Sequence, residues 1–320
     1  MKNAYLAFDL GAESGRAMLG VLDSGKLTLE EVHRFPNKLQ PLDDGLHWDI
    51  DGLWNNLVEG LRKAGQTAAA NDLQIVSLGV DTWGVDYGLI DAAGKLVIQP
   101  FAYRDERNPP AMDKAFQLVG EKRLYEVTGI QFMALNTLYQ LVAQKDADPS
   151  VLDKAERLLF TPDLMHYMFT GQALNEASIA STSQMVDPRT GQWATELLEA
   201  LDLPTHFLGE IVPAGTVIGT IKPEIAEQAG VSSDIQVIAP AAHDTASAVA
   251  AVPADPETSW CYLSSGTWSL MGAELDKPHI SDKSLELDFT NEGGVDGKIR
   301  FLKNIFGLWL VQECRRAWEK

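Results

Sequence analysis

FDLGAESGRAMLG, residues 8–20, and CYLSSGTWSLMG, residues 261–272, decide how this chain is read. Each is an apolar run, a short turn rich in glycine and serine, and an apolar return ending in Met-Leu-Gly or Leu-Met-Gly. Apolar runs flanking such a turn read as a β-hairpin. No helical pattern follows the first turn, which separates it from a phosphate loop that opens a helix. Two unrelated hairpins would give the same layout. Because each opens a mixed α/β segment, however, the pattern predicts two similar lobes facing each other across a cleft.

Around the first hairpin, residues 4–10, 16–23 and 26–35 alternate or run apolar between glycine turns and predict a three-stranded meander. Asp49 and Asp51 precede LWNNLVEGLRKAGQTAAA, whose apolar residues recur at helical spacing, with carboxylates at the positive end of the helix. LQIVSLGVDT (73–82) reads as a buried strand, and VDYGLIDAAGKLV carries an Asp-Ala-Ala-Gly turn. From about 109 to 200 the pattern is mostly helical, with one strand at RLLFTPD (157–163). IQVIAPA (235–241) predicts another strand leading into a helix at HDTASAVAAV (243–252). No repeat of 20–50 residues is present, so a solenoid is excluded.

The 320 residues are 45% hydrophobic, enough for about two domains. A formal charge of −19, spread along the chain, argues against nucleic acid as a partner, because backbone affinity needs clustered Lys and Arg. Two cysteines, Cys261 and Cys314, match no disulfide framework and no metal pattern, which suits a reducing cytoplasm. No stretch approaches the roughly 18 apolar residues of a membrane span, and a charge at Asp9 interrupts any leader-like start. GVLDSGKL (20–27) nearly matches a nucleotide P-loop, but Leu27 stands at the hydroxyl position and the stretch reads as a turn between strands. No GxGxxG occurs.

Three stretches carry candidate chemistry. In the turn at 11–16, backbone N–H groups can converge on an anion, Ser14 and Arg16 can add donors, and Asp9 is placed for magnesium. In HDTASA (243–248), Asp244 follows a buried strand at a helix start, where the dipole favours its ionised form. It can take a proton from a hydroxyl that attacks phosphorus, or serve merely as an N-cap. Its neighbour His243 suits a structural or substrate-bonding role better than a metal, since the six histidines show no ligand spacing. DTWGVD (81–86) puts Asp81, Trp83 and Asp86 together, a ring face and acceptors suited to a polyol. YRDER (103–107) adds Arg104 and Asp105, which read equally well as a surface ion pair.

In chain order, DLGAESGR, DTWGVD, YRDER, GIQFMALNTLYQL, HDTASAV, YLSSGTWSLMG and NEGG…RFLKNIFGLWLVQE resemble the motifs of the FGGY family of carbohydrate kinases, within the actin-like ATPase superfamily. The resemblance covers essentially the whole chain. It implies an α/β, actin-like (ribonuclease H-like) two-lobe ATPase fold, with residues 1–245 as a sugar-binding lobe and 246–320 as the start of a nucleotide-binding lobe. It implies a cytoplasmic kinase using ATP and Mg2+, with L-rhamnulose or a similar ketose or polyol as acceptor. Asp9 would lie near the magnesium; Ala12, Glu13, Ser14, Gly15 and Arg16, with Thr267 and Gln312, would lie at the nucleotide. Asp244 would be the catalytic base, and Trp83, Gly84, Asp86, His243, Thr245 and Asn304 would contact the sugar. Glu13 departs from the smaller residue expected in this turn. The chain stops at CRRAWEK, within a helical pattern, so the second lobe is expected to be only begun, and a sugar-binding protein without catalysis is the alternative.

Overall fold

The computed structural model describes residues 1–255, 258–266 and 268–318. The expected meander is β1 (Lys2–Leu10), β2 (Ser14–Asp23) and β3 (Lys26–Pro36), antiparallel throughout. Ser24 and Gly25, with φ of 51° and 80°, join β2 to β3. This is the left-handed two-residue turn that matches strand twist, so the near-match to a P-loop is a hairpin. Helix α1 (Ile50–Ala70) buries Leu53, Leu57, Leu61 and Ala64 against this sheet, and its first turn is capped by Asp49, whose Oδ1 accepts from Gly52 N at 2.9 Å.

Strand β4 (Leu73–Thr82) follows and runs parallel to β1, putting Asp81 opposite Asp9. After a largely helical stretch over 108–154, the elements that matter for the site are helices α2 (Thr161–Thr170) and α3 (Ala177–Ser181), strands β5 (Val217–Thr220) and β6 (Gln236–Ile238), and helix α4 (Asp244–Ala250). The sheet order is β5-β6-β4-β1-β2-β3, with β6 parallel to β4. An antiparallel meander continued by the parallel strands β4 and β6 is the ribonuclease H-like arrangement expected, with β5 added antiparallel at the edge. Two strands are shorter than their apolar runs. The strand at Arg157 stops at Phe160, where Pro162 enters the first turn of α2, a position at which its missing N–H costs nothing. β6 ends before Pro240, which has no N–H to give a ladder.

The second hairpin, β7 (Tyr262–Ser265) and β8 (Trp268–Leu275), belongs to a separate antiparallel sheet with β9 (Thr290–Gly293) and β10 (Ile299–Phe306), in the order β7-β8-β10-β9. Helix α5 (Trp309–Trp318) follows. The core here is small: Val249, Tyr262, Leu270 and Leu302. Leu263, Met271, Phe306 and Val311 are exposed. No helix among the described residues is long and apolar enough to cross a membrane.

Candidate active site between the two hairpins

The two hairpin turns line one cavity of about 810 Å³. From the first come Asp9, Gly11, Ala12, Glu13, Ser14 and Arg16; from the second, Ser264, Ser265, Gly266 and Trp268. The ends of β4 and β6 add Asp81, Trp83, Gly84, His243, Asp244 and Thr245, and the second sheet adds Thr290, Glu292 and Asn304. These residues lie up to about 300 positions apart in sequence, and only the packing of one sheet against the other assembles them.

The first turn is closed by Gly11 N donating to Ser14 O (2.9 Å) and is held by Asn37, whose Nδ2 donates to Gly11 O (3.1 Å). Neither Gly11 nor Gly15 takes a positive φ. Gly15 does not line the cavity; it is glycine because a Cβ there would overlap the Phe35 ring and a Leu10 methyl. Arg16 grips Asp9, with Nε donating to Oδ2 at 2.7 Å. Glu13 lines the cavity on its exposed rim, where Gln312 Nε2 reaches its Oε2 at 3.4 Å. Gln312 itself is not among the lining residues, and Thr267 lies outside the described residues.

Asp9, Asp81 and Asp244 face the same space. Burial, reinforced by the charges of Asp9 and Asp244, raises Asp81 well above the usual carboxylate range. Asp244 is the first residue of α4, not its cap, a position held by His243. Its Oδ1 accepts from Thr245 N at 2.5 Å. Burial raises Asp244 above the usual carboxylate value, with Asp9 adding to the effect against His243 and the Thr245 hydrogen bonds. Seven residues of helix are too little to outweigh desolvation. A carboxylate whose pKa is raised is the better proton acceptor. Hard carboxylate oxygens crowded into one space also suit magnesium, with Asp9 and Asp81 the side chains to hold it. The described residues contain no group of three or more ligands that could form a metal cage.

The DTWGVD loop divides its duties. Trp83 and Gly84 line the cavity, but Asp86 does not. Asp86 is 1% exposed, and its Oδ2 accepts from the indoles of Trp48 (2.6 Å) and Trp83 (2.8 Å), while Oδ1 accepts from Gln140 Nε2 (3.1 Å). The expected polyol contact is therefore replaced by a buttress that fixes the two indoles, whose centroids are 4.3 Å apart with the rings tilted by 40°. Gly84 has Thr182 beside it, where a Cβ would be crowded at 3.3 Å. Asp105 of YRDER does not pair with Arg104 at the surface; its charged neighbour is the largely buried Arg107, whose Nε lies 3.7 Å from Asp105 Oδ1. Asp105 is buried and accepts from Leu46 N (2.7 Å) and Arg107 N (3.0 Å), whereas Arg104 bonds the Tyr103 hydroxyl.

Asn304 reaches the cavity from β10, and its N and Nδ2 both donate to Gln131 Oε1, at 3.2 and 3.1 Å. Gln131, Thr182, Thr290 and Glu292 line the site without having been singled out from sequence. Gln131 and Glu292 lay within quoted motifs, but Thr182 and Thr290 sit in helical and strand segments with no local signal. Behind the cavity wall, Glu176 Oε2 accepts from Ser178 N, Ile179 N and Ala242 N, and Ser178 Oγ accepts from His243 N. That chain of bonds sets the backbone that presents His243 and Asp244.

Comparison with known proteins agrees with this geometry. The family model for the N-terminal domain of FGGY carbohydrate kinases matches residues 4–251, and that for the C-terminal domain matches 261–320. Rhamnulokinase of Oceanobacillus iheyensis is 45% identical over 99% of this chain and 66% of its own length. Rhamnulokinase of Bacteroides thetaiotaomicron is 45% identical over 99% of the chain and 64% of its own length. The chain thus spans slightly less than two thirds of these curated relatives. Among solved structures, xylulose kinase from Lactobacillus acidophilus superposes with a TM-score of 0.80 at 18% identity, over 94% of this chain and 59% of that one. Glycerol kinase of Plasmodium falciparum with ADP gives 0.80 at 15% identity, over 98% and 64%. The shared fold and the match to both domain models have one meaning: this chain belongs to the FGGY family of carbohydrate kinases.

Proposed function

We propose that the chain serves ATP-dependent phosphorylation of a ketose, transferring the γ-phosphoryl of MgATP to the 1-hydroxyl of L-rhamnulose in the cytoplasm. The observation that carries this reading is Asp244, an acceptor of raised pKa, in one cavity with both hairpin turns. The two rhamnulokinase relatives support the choice of sugar. Residues 1–245 would form the sugar lobe and 246–320 the start of the nucleotide lobe. MgATP supplies the phosphoryl group and the charge neutralisation that phosphoryl transfer needs.

The protein's own part is positioning and proton transfer. Ala12, Glu13, Ser14 and Arg16 would border the nucleotide, and Asp9 would hold the magnesium. Trp83 would give the sugar an apolar face, with Gly84, His243, Thr245 and Asn304 around it. Asp244 accepts the hydroxyl proton as that oxygen bonds to phosphorus and the bond to the ADP oxygen breaks. Asp244→Asn tests this. Turnover, followed by ADP release, should fall about 10²- to 10⁴-fold, while calorimetry shows ketose binding within a few-fold of wild type. Retained turnover overturns the base assignment. A polyol preferred over L-rhamnulose in a substrate panel overturns the acceptor, and sugar binding without nucleotide binding or turnover overturns the kinase reading for this chain.

A further inference from the structure

Behind His243, the second sheet places a buried ion pair. Glu292 on β9 and Arg300 on β10 are cross-strand neighbours. Arg300 is fully buried, and its Nη2 donates to Glu292 Oε2 at 2.9 Å and to His243 Nδ1 at 2.9 Å, while Nε donates to Gly293 O at 2.9 Å. His243 Nδ1 lies 3.2 Å from Glu292 Oε2, and His243 Nε2 lies 3.4 Å from Asp244 Oδ1. Burial acts against the Glu292 charge and the Arg300 guanidinium favours it; its pKa is lowered. A buried ion pair adds little net stability over an apolar replacement of the same volume. Its presence at this spot calls for another reason.

A guanidinium can only donate. With an Arg300 N–H directed at Nδ1, that nitrogen must be the acceptor, and the ring proton sits on Nε2, the nitrogen facing Asp244. We propose that the Arg300–Glu292 pair is a positioning device that fixes His243 in its Nε2–H tautomer, so that the acceptor hydroxyl oxygen meets a donor in His243 and a proton acceptor in Asp244. This rests on the reading of Asp244 as base. Without Arg300, Glu292 becomes the partner of Nδ1, which must then carry the proton; Nε2 turns into a second acceptor, and the hydroxyl has two groups competing for one hydrogen.

Two readouts keep the inference separate from the kinase reading. In ¹⁵N-histidine NMR of the unliganded chain, the resonances of His243, assigned by their loss in His243→Gln, should report the Nε2–H tautomer. In Arg300→Met they should report a protonated Nδ1; an unchanged tautomer overturns the proposal. In turnover assays, Arg300→Met should lower kcat by about 10- to 100-fold, with ketose KM changed only a few-fold. A switched tautomer with full turnover also overturns it. Arg300→Met/Glu292→Leu removes both charges and replaces the single variant should that one not fold; its His243 should lose the fixed Nε2–H state with a similar fall in kcat, and a retained Nε2–H state overturns the proposal. A wild type that turns over no sugar overturns the positioning role together with the kinase reading, whereas a fixed tautomer in active wild type that is lost in the variant supports it.

Discussion

Asp86 offers the sharpest quantitative test, because its carboxyl is held wholly by indole and amide N–H groups and touches no cation. Burial raises its pKa from 3.8 to about 6, against the opposing pull of the hydrogen bonds from Trp83, Trp48 and Gln140. At about 1.4 kcal/mol for each tenfold change in proton affinity, the ionised form costs the fold about 3 kcal/mol at high pH. The sign follows from proton counting. Between pH 3.8 and about 6 the native state holds more protons at this site than the unfolded chain does, so its contribution to stability falls as pH rises. Some of that fall lies below pH 5; between pH 5 and 7.5 it amounts to about 1.4 kcal/mol. Asn at this position does not titrate, though with its amide oxygen toward the two indoles its NH2 faces Gln140 Nε2, which loses an acceptor. Urea denaturation of wild type and Asp86→Asn, followed by tryptophan fluorescence, should therefore show the difference between the two shifting by about 1.4 kcal/mol in the variant's favour over that range. A difference that stays flat would mean that the indole hydrogen bonds keep the carboxylate ionised throughout, and the burial argument would fail.

Other outcomes follow from the same packing. Gly15→Ala should destabilise by about 1–3 kcal/mol in denaturant melts, because its methyl overlaps the Phe35 ring, and Phe35→Leu in the same chain should restore part of the loss. Glu176→Ala leaves three buried backbone N–H groups without their acceptor and should cost about 2–5 kcal/mol; a loss below 1 kcal/mol would show that water replaces the carboxylate. His166 is kept neutral by burial, its pKa lowered to about 3, with Nε2 accepting from Val80 N. The native state then binds fewer protons than the unfolded chain as pH drops below about 6.5, so stability falls with acid, and His166→Gln should lose stability less steeply there.

Local rules were enough for much of the fold. Alternation and turn chemistry predicted β1, β2, β3 and β4 to within a few residues, and periodicity with an Asp cap located α1, because each depends on neighbours within a few positions. The hairpin pairing that suggested two facing lobes was also legible, since strand, glycine turn and return strand are local patterns. Roles that depend on what lies across the fold were not. Asp86 reads as a polyol contact and Asp105 as half of a surface ion pair because nothing nearby in sequence reveals Trp48, 38 residues upstream, or the Leu46 N–H. The desolvation that raises Asp244 was invisible for the same reason: a helix start is legible in sequence, but burial depends on the walls of a cavity drawn from both sheets. The sequence alone therefore determined the elements, the family motifs and the candidate residues at FDLGAESGR, HDTASA and YLSSGTW. Only the tertiary structure decided which of these side chains meet ligand space and which brace those that do, because burial and hydrogen-bond partners come from strands and helices brought together over long sequence distances.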